Sequence, residues 1–173
     1  FSYALGVAAF LTVFSDIGIN ALLTKEGSRN PELRKQYLAT AFFIKLAMLA
    51  LLITLVIALF PYLTKIPEAA TIMPILIFVF AFDALRELGS AVSRAMEKME
   101  IEAVIQIFAN FAIVVLGFVF LSLNPTSLSL AFAYAVGSGI GMVAIFVALN
   151  EHFRNLLSNF KKGLIWPIFK TAW

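Results

Sequence analysis

Two charges stand inside stretches that are otherwise apolar, Asp16 and Lys45, with a charged loop from Lys25 to Lys35 between them. If the apolar runs end near Thr24 and resume near Tyr37, each charge lies eight residues inside its run. At a rise of about 1.5 Å per residue, both sit roughly 12 Å deep on the same side. Ionisable groups at that depth in a bilayer are costly, so they face a bundle interior or a wet cavity and mark function. In such a cavity Lys45 attracts an anion, and Asp16 binds a cation or a proton. Alternatively the two neutralise one another and lock two helices together, or the Lys45 stem snorkels toward the headgroups.

A second group is Asp83, Arg86, Glu87 and Arg94. Spacings of three and four put the first three on one side of a helix. With the membrane edge near Arg94, Arg86 again lies about 12 Å deep. Three helices then carry charge at one level, as an inward-facing polar vestibule would. The plainer alternative is an amphipathic helix end dipping into the interface. Glu102, Gln106 and Asn110 follow at intervals of four and form a polar stripe turned toward protein or water. Interhelical hydrogen bonding explains that stripe first, and substrate contact second. Ala133, Gly137 and Gly141 repeat every four residues and make a small-residue face suited to close helix packing.

These side chains need helices to hold them. Of 173 residues, 62% are hydrophobic and 13% charged, against about 45–50% and 25% in soluble domains. Mean hydropathy is +0.97. The apolar residues come in long blocks, which predicts an all-α, polytopic transmembrane helix bundle. Five spans are expected, at about 1–24, 37–60, 69–94, 103–123 and 128–149, with an interfacial end at 150–173. Pro61 is expected to stop the second helix. Basic residues alternate between loops: Lys25, Arg29, Arg34 and Lys35, then Arg94 and Lys98, then Arg154, Lys161, Lys162 and Lys170. Such loops stay cytoplasmic, so residue 1 is expected at the outer face and residue 173 at the cytoplasmic face of the cell membrane. Tyr3, Tyr37, Tyr62, Trp166 and Trp173 suit interfacial anchoring. The chain starts inside an apolar run at Phe1 and is expected to be part of a longer protein.

Several function classes fall away. The net charge of +3 comes largely from loops, not from a basic face on a soluble element, so no nucleic-acid partner is expected. There is no cysteine, which removes disulfides and thiolate chemistry. His152 is the single histidine, and no metal site, cofactor or enzymatic motif is expected.

The stretch from Tyr3 to Arg29, YALGVAAFLTVFSDIGINALLTKEGSR, resembles the polysaccharide biosynthesis (O-antigen type) flippases of the multidrug/oligosaccharidyl-lipid/polysaccharide exporter superfamily. The positions that carry the resemblance are Asp16, Gly18, Lys25 and Glu26. Ala84 to Ala103 is similar to the inner end of that family's fourth helix. Lys25 stands where many relatives have Arg, which keeps the charge but loses the bidentate fork. The resemblance implies the partial first lobe of a two-lobe transporter that flips a lipid-linked oligosaccharide, of polyprenyl-diphosphate type, by alternating access. For such a substrate, charge alone would give Lys45 and Arg86 the task of attracting the diphosphate, with Lys25 and Arg94 near the mouth. Asp16, Asp83 and Glu87 hold those cations or couple to an ion, Na⁺ or H⁺. A multidrug or cation antiporter of the same superfamily is the alternative, with Asp16 and Asp83 as its working residues.

Overall fold

A computed structural model describes Gly6 and residues 18–63 and 67–172, with side chains for all of these except 59–63, 67–70, 169, 171 and 172. Asp16, and with it most of the expected first span, lies outside the described residues. The chain is an all-α bundle. Its elements are α1 (Ile19–Arg29), α2 (Arg34–Leu63), α3 (Pro67–Ala95), α4 (Met99–Leu123) and α5 (Ser127–Ala148). Three short helices follow, α6 (Asn150–Phe153), α7 (Leu156–Asn159) and α8 (Ile165–Ala172), with a 3-10 turn at Lys162–Leu164 between the last two.

Among the described residues, three helical stretches are long and apolar enough to cross a membrane: Arg34–Ala58, Met99–Leu123 and Ser127–Ala148. Helix α2 runs through Pro61 and ends at Leu63, beyond the stop expected from that proline. A proline forfeits only its own amide bond to the preceding turn, so two more residues can remain helical when the helix is about to end. The first described helix begins at Ile19, inside the first expected span. Gly18 precedes α1 with φ 72°, a left-handed conformation that a side chain resists and glycine accepts. Helix α1 then continues past Thr24 to Arg29, so the expected loop shrinks to a tight turn over Asn30–Leu33.

Helix α3 organises the bundle. Ala91 and Ala95 meet α1, where the Thr24 hydroxyl donates to the Ala91 carbonyl at 3.3 Å. Ala81, Ala84 and Leu85 meet Leu49 of α2. Gly89 meets α5, where an added Cβ would lie 2.7 Å from Ile145. Two apolar clusters cement this arrangement. One, at the end carrying the Lys25–Lys35 stretch (the basic end), joins Ile19, Leu22 and Leu23 to Leu38, Leu88, Ile105, Ile145 and Ile168. The other, at the opposite end, joins Val56, Ile72, Met73, Leu76 and Ala131.

Helices α4 and α5 pack closely because α5 has no side chain at the points of contact. A Cβ on Gly137 would collide with Ile113, and one on Gly141 would come within 2.7 Å of Ala109. The small-residue face thus has a stated partner. Outward, α4 shows Ile107, Phe111 and Phe118, all exposed, a surface suited to lipid rather than water.

Candidate functional site

On α3 the charged residues follow from helical spacing. Asp83, Glu87 and Arg94 fall along one line, flanked on one side by α1 and on the other by α4. Between α1 and α3 lies a cleft of about 560 Å³, lined by Asn20, Thr24, Lys25 and Ser28 from α1 and by Glu87 and Arg94 from α3. Arg94 Nη1 donates to Glu102 Oε1 of α4 at 2.7 Å, and Arg94 Nη2 lies 3.8 Å from Glu87 Oε2. Lys25 is exposed on the rim. The structure therefore brings Lys25, Glu87 and Arg94 to one opening.

Arg86 sits deeper, 8% exposed, where α3, α4 and α5 meet. Its Nη2 donates to Asp83 Oδ1 at 3.0 Å, and Ser138 Oγ of α5 donates to the same oxygen at 3.1 Å. Arg86 Nη1 donates to Gln106 Oε1 of α4, and Gln106 Nε2 donates to Asn110 Oδ1 at 3.4 Å. Arg86 Nε is buried and finds no hydrogen-bond partner among the described residues. This arrangement relays the buried charge along the polar stripe of α4 to Asn110, which is exposed. Gly141 makes it possible, since a Cβ there would press on Arg86 Cδ at 3.2 Å.

Lys45 lies elsewhere. It is 1% exposed, and its Nζ donates to Asn20 Oδ1 at 3.1 Å. The α3 residues that meet α2 and those that hold Arg86 point in nearly opposite directions around that helix. Lys45 and Arg86 are thus on opposite sides of α3 and do not line one chamber. The connection of Lys45 to the cleft runs through Asn20, which lines the cleft and is itself buried.

Asn20 escaped the sequence reading, since an uncharged amide carries no depth signal. Its spacing of four from Asp16 was the available clue. Ser138 was hidden inside the small-residue face. Arg34 was read only as a topology charge, yet its Nε donates to the Gly27 carbonyl at 2.8 Å and its Nη2 to the Ala95 carbonyl at 3.0 Å. One guanidinium thus satisfies carbonyls at the C-terminal ends of two helices, where such groups lack intrahelical partners. Nearby, burial and then the positive charges of Arg34 and Lys35 hold the His152 imidazole below its ordinary pKa of 6.5. These neighbours place the segment after α5 against the first basic turn.

Chemically, the cleft offers an ammonium, a guanidinium, two hydroxyls and an amide to an oxygen-rich anion. Three carboxylates, Asp83, Glu87 and Glu102, hold the arginines meanwhile. The model of the polysaccharide biosynthesis protein family matches residues 1–173. The chain belongs to that family. With its three apolar helices, this family member is a membrane protein. Comparison with curated proteins and with solved structures returned no match.

Proposed function

We propose that this polysaccharide biosynthesis family member moves a lipid-linked oligosaccharide of polyprenyl-diphosphate type across the cytoplasmic membrane by alternating access, as the first lobe of a two-lobe transporter. The observation that carries the reading is the cleft between α1 and α3, with Lys25 and Arg94 on its surface and the buried cation Lys45 behind Asn20. A diphosphate arriving at the mouth meets Lys25 and competes with Glu87 and Glu102 for Arg94. Deeper, the Asn20 amide presents the field of Lys45 to the cleft, while Arg86, on the other side of α3, reaches the surface through Gln106 and Asn110 of α4. The polyprenyl tail stays in lipid against the apolar outer face of α4.

In this reading the basic end faces the cytoplasm and the chain crosses the membrane five times. A coupling ion, Na⁺ or H⁺, has Asp16 and Asp83 as its carboxylates. Asp83 keeps 34% of its side chain exposed, and that observation favours a second reading, a cation or drug antiporter in which the aspartates do the work.

The test uses the full-length protein in liposomes and follows a fluorescent polyprenyl-diphosphate oligosaccharide across the bilayer. Lys45→Ala and Arg94→Gln are expected to slow translocation at least tenfold at unchanged protein level. A well-folded wild type that translocates nothing, yet exchanges cations in an Asp16- and Asp83-dependent way, would replace the flippase reading with the antiporter.

A further inference from the structure

The segment after α5 does not trail away from the bundle. Lys161 N donates to Thr40 Oγ1 at 3.3 Å, the Phe160 ring meets Phe43 at 5.3 Å, and the Phe153 ring packs tilted against Phe146 at 4.4 Å. Ile168 is buried in the core cluster with Ile19, Leu22 and Leu23. From α6 to α8 the chain thus forms a strap across the basic end, seated on α1 and α2.

Its outward side has a different composition. In α8, Trp166 and Lys170 lie four residues apart on one face, and the buried Ile168 points the opposite way. Trp166 is 76% exposed and Leu157 of α7 is 83% exposed. Lys161, Lys162 and Lys170 are exposed as well. Between Asn155 and Trp173 there are three lysines and no Asp or Glu. A large aromatic and a leucine presented among unbalanced lysines suit an amphiphilic, negatively charged surface. That pairing is how interfacial helices hold anionic membranes.

We propose that the outward side of this strap is a binding site for anionic phospholipid headgroups, in which Lys161, Lys162 and Lys170 take phosphate oxygens and Trp166 and Leu157 enter the acyl boundary. The occupied strap then holds Ile168 against α1, the helix whose Asn20 receives Lys45. The site uses only the membrane character of the chain, so it stands or falls separately from the flippase reading.

The experiment takes the full-length protein, stripped of lipid in detergent, and titrates it with phosphatidylglycerol or phosphatidylcholine while bound lipid is counted by native mass spectrometry. Wild type is expected to prefer phosphatidylglycerol. With Lys161→Gln and Lys162→Gln combined, its affinity for that lipid falls about 25-fold, roughly fivefold per lysine, and phosphatidylcholine binding stays unchanged. Trp166→Ala weakens both lipids alike. Equal affinity of the wild type for the two lipids overturns the proposal. So does undiminished phosphatidylglycerol binding by the double lysine variant, which leaves the face to a protein partner or a second copy. A lower unfolding temperature of that variant in phosphatidylcholine also overturns it, by giving the lysines to the fold. A wild type that translocates nothing yet prefers phosphatidylglycerol as expected refutes only the transport reading.

Discussion

Gly141→Ala tests the packing that buries Arg86. The added methyl carbon would lie 2.7 Å from Ala109 Cβ, whereas two such carbons rest at about 3.5–4.0 Å, a shortfall of roughly 1 Å. Neither atom can rotate away, since each is fixed to a helix backbone, so α4 and α5 must part. The same methyl presses on Arg86 Cδ at 3.2 Å and pushes the guanidinium off its partners. Overpacking of this kind costs about 1–3 kcal/mol. Gly139→Ala is the internal control, because its methyl would meet the Phe82 ring at an ordinary 3.6 Å. There the alanine should stabilise by about 0.5–1 kcal/mol. The assay is thermal unfolding of the purified protein in detergent, run on both single variants and on Gly141→Ala combined with Ala109→Gly. The double variant should regain most of the loss, with a remainder from Arg86. A Gly141→Ala protein as stable as wild type, or a double variant no better than the single, would refute this account of the interface.

Two further outcomes concern the basic end. Arg34→Ala removes both carbonyl bonds at once and should cost about 2 kcal/mol of stability; Arg34→Lys, which lacks the fork, should recover less than half in the same unfolding assay. His152 titrates below 6.5 in the folded chain because burial and the charges of Arg34 and Lys35 disfavour its protonated form. The unfolded chain therefore takes up the proton first, and stability declines as pH falls below 6.5 toward the folded value. His152→Gln should flatten that part of the pH–stability curve, and an unchanged slope would mean another group is responsible.

The apolar blocks made the helices α2 to α5 legible, because a bilayer demands about 20 apolar residues per crossing and few sequences meet that by accident. The interval of four in Glu102, Gln106 and Asn110 likewise announced one polar face, and the structure spends it on Arg94 and Arg86. Depth was legible where rotation was not. Lys45 and Arg86 are placed at similar distances from the membrane edge by counting residues, yet which side of α3 each meets depends on how helices pack. Charge alone could not say that Asn20 receives Lys45, or that Arg34 serves two helix ends. The left-handed Gly18 was part of a recognised motif, but an apolar run looks continuous through a glycine. The seating of the strap on α1 depends on tertiary contacts, chiefly Ile168, that no local pattern announces.

The Arg34 contacts also have a mechanical consequence. Fastened through the Gly27 and Ala95 carbonyls, the basic ends of α1, α2 and α3 form one rigid block. At the other end of α1, the Gly18 torsions are free of any Cβ constraint. Rotation there breaks no bond within α1, while rotation at the block breaks charged hydrogen bonds in two helices at once. Of the two ends of α1, the start at Gly18 is therefore the one at which the helix can swivel. A glycine that carries the family resemblance in the sequence is thus also the loose end of an otherwise fastened helix.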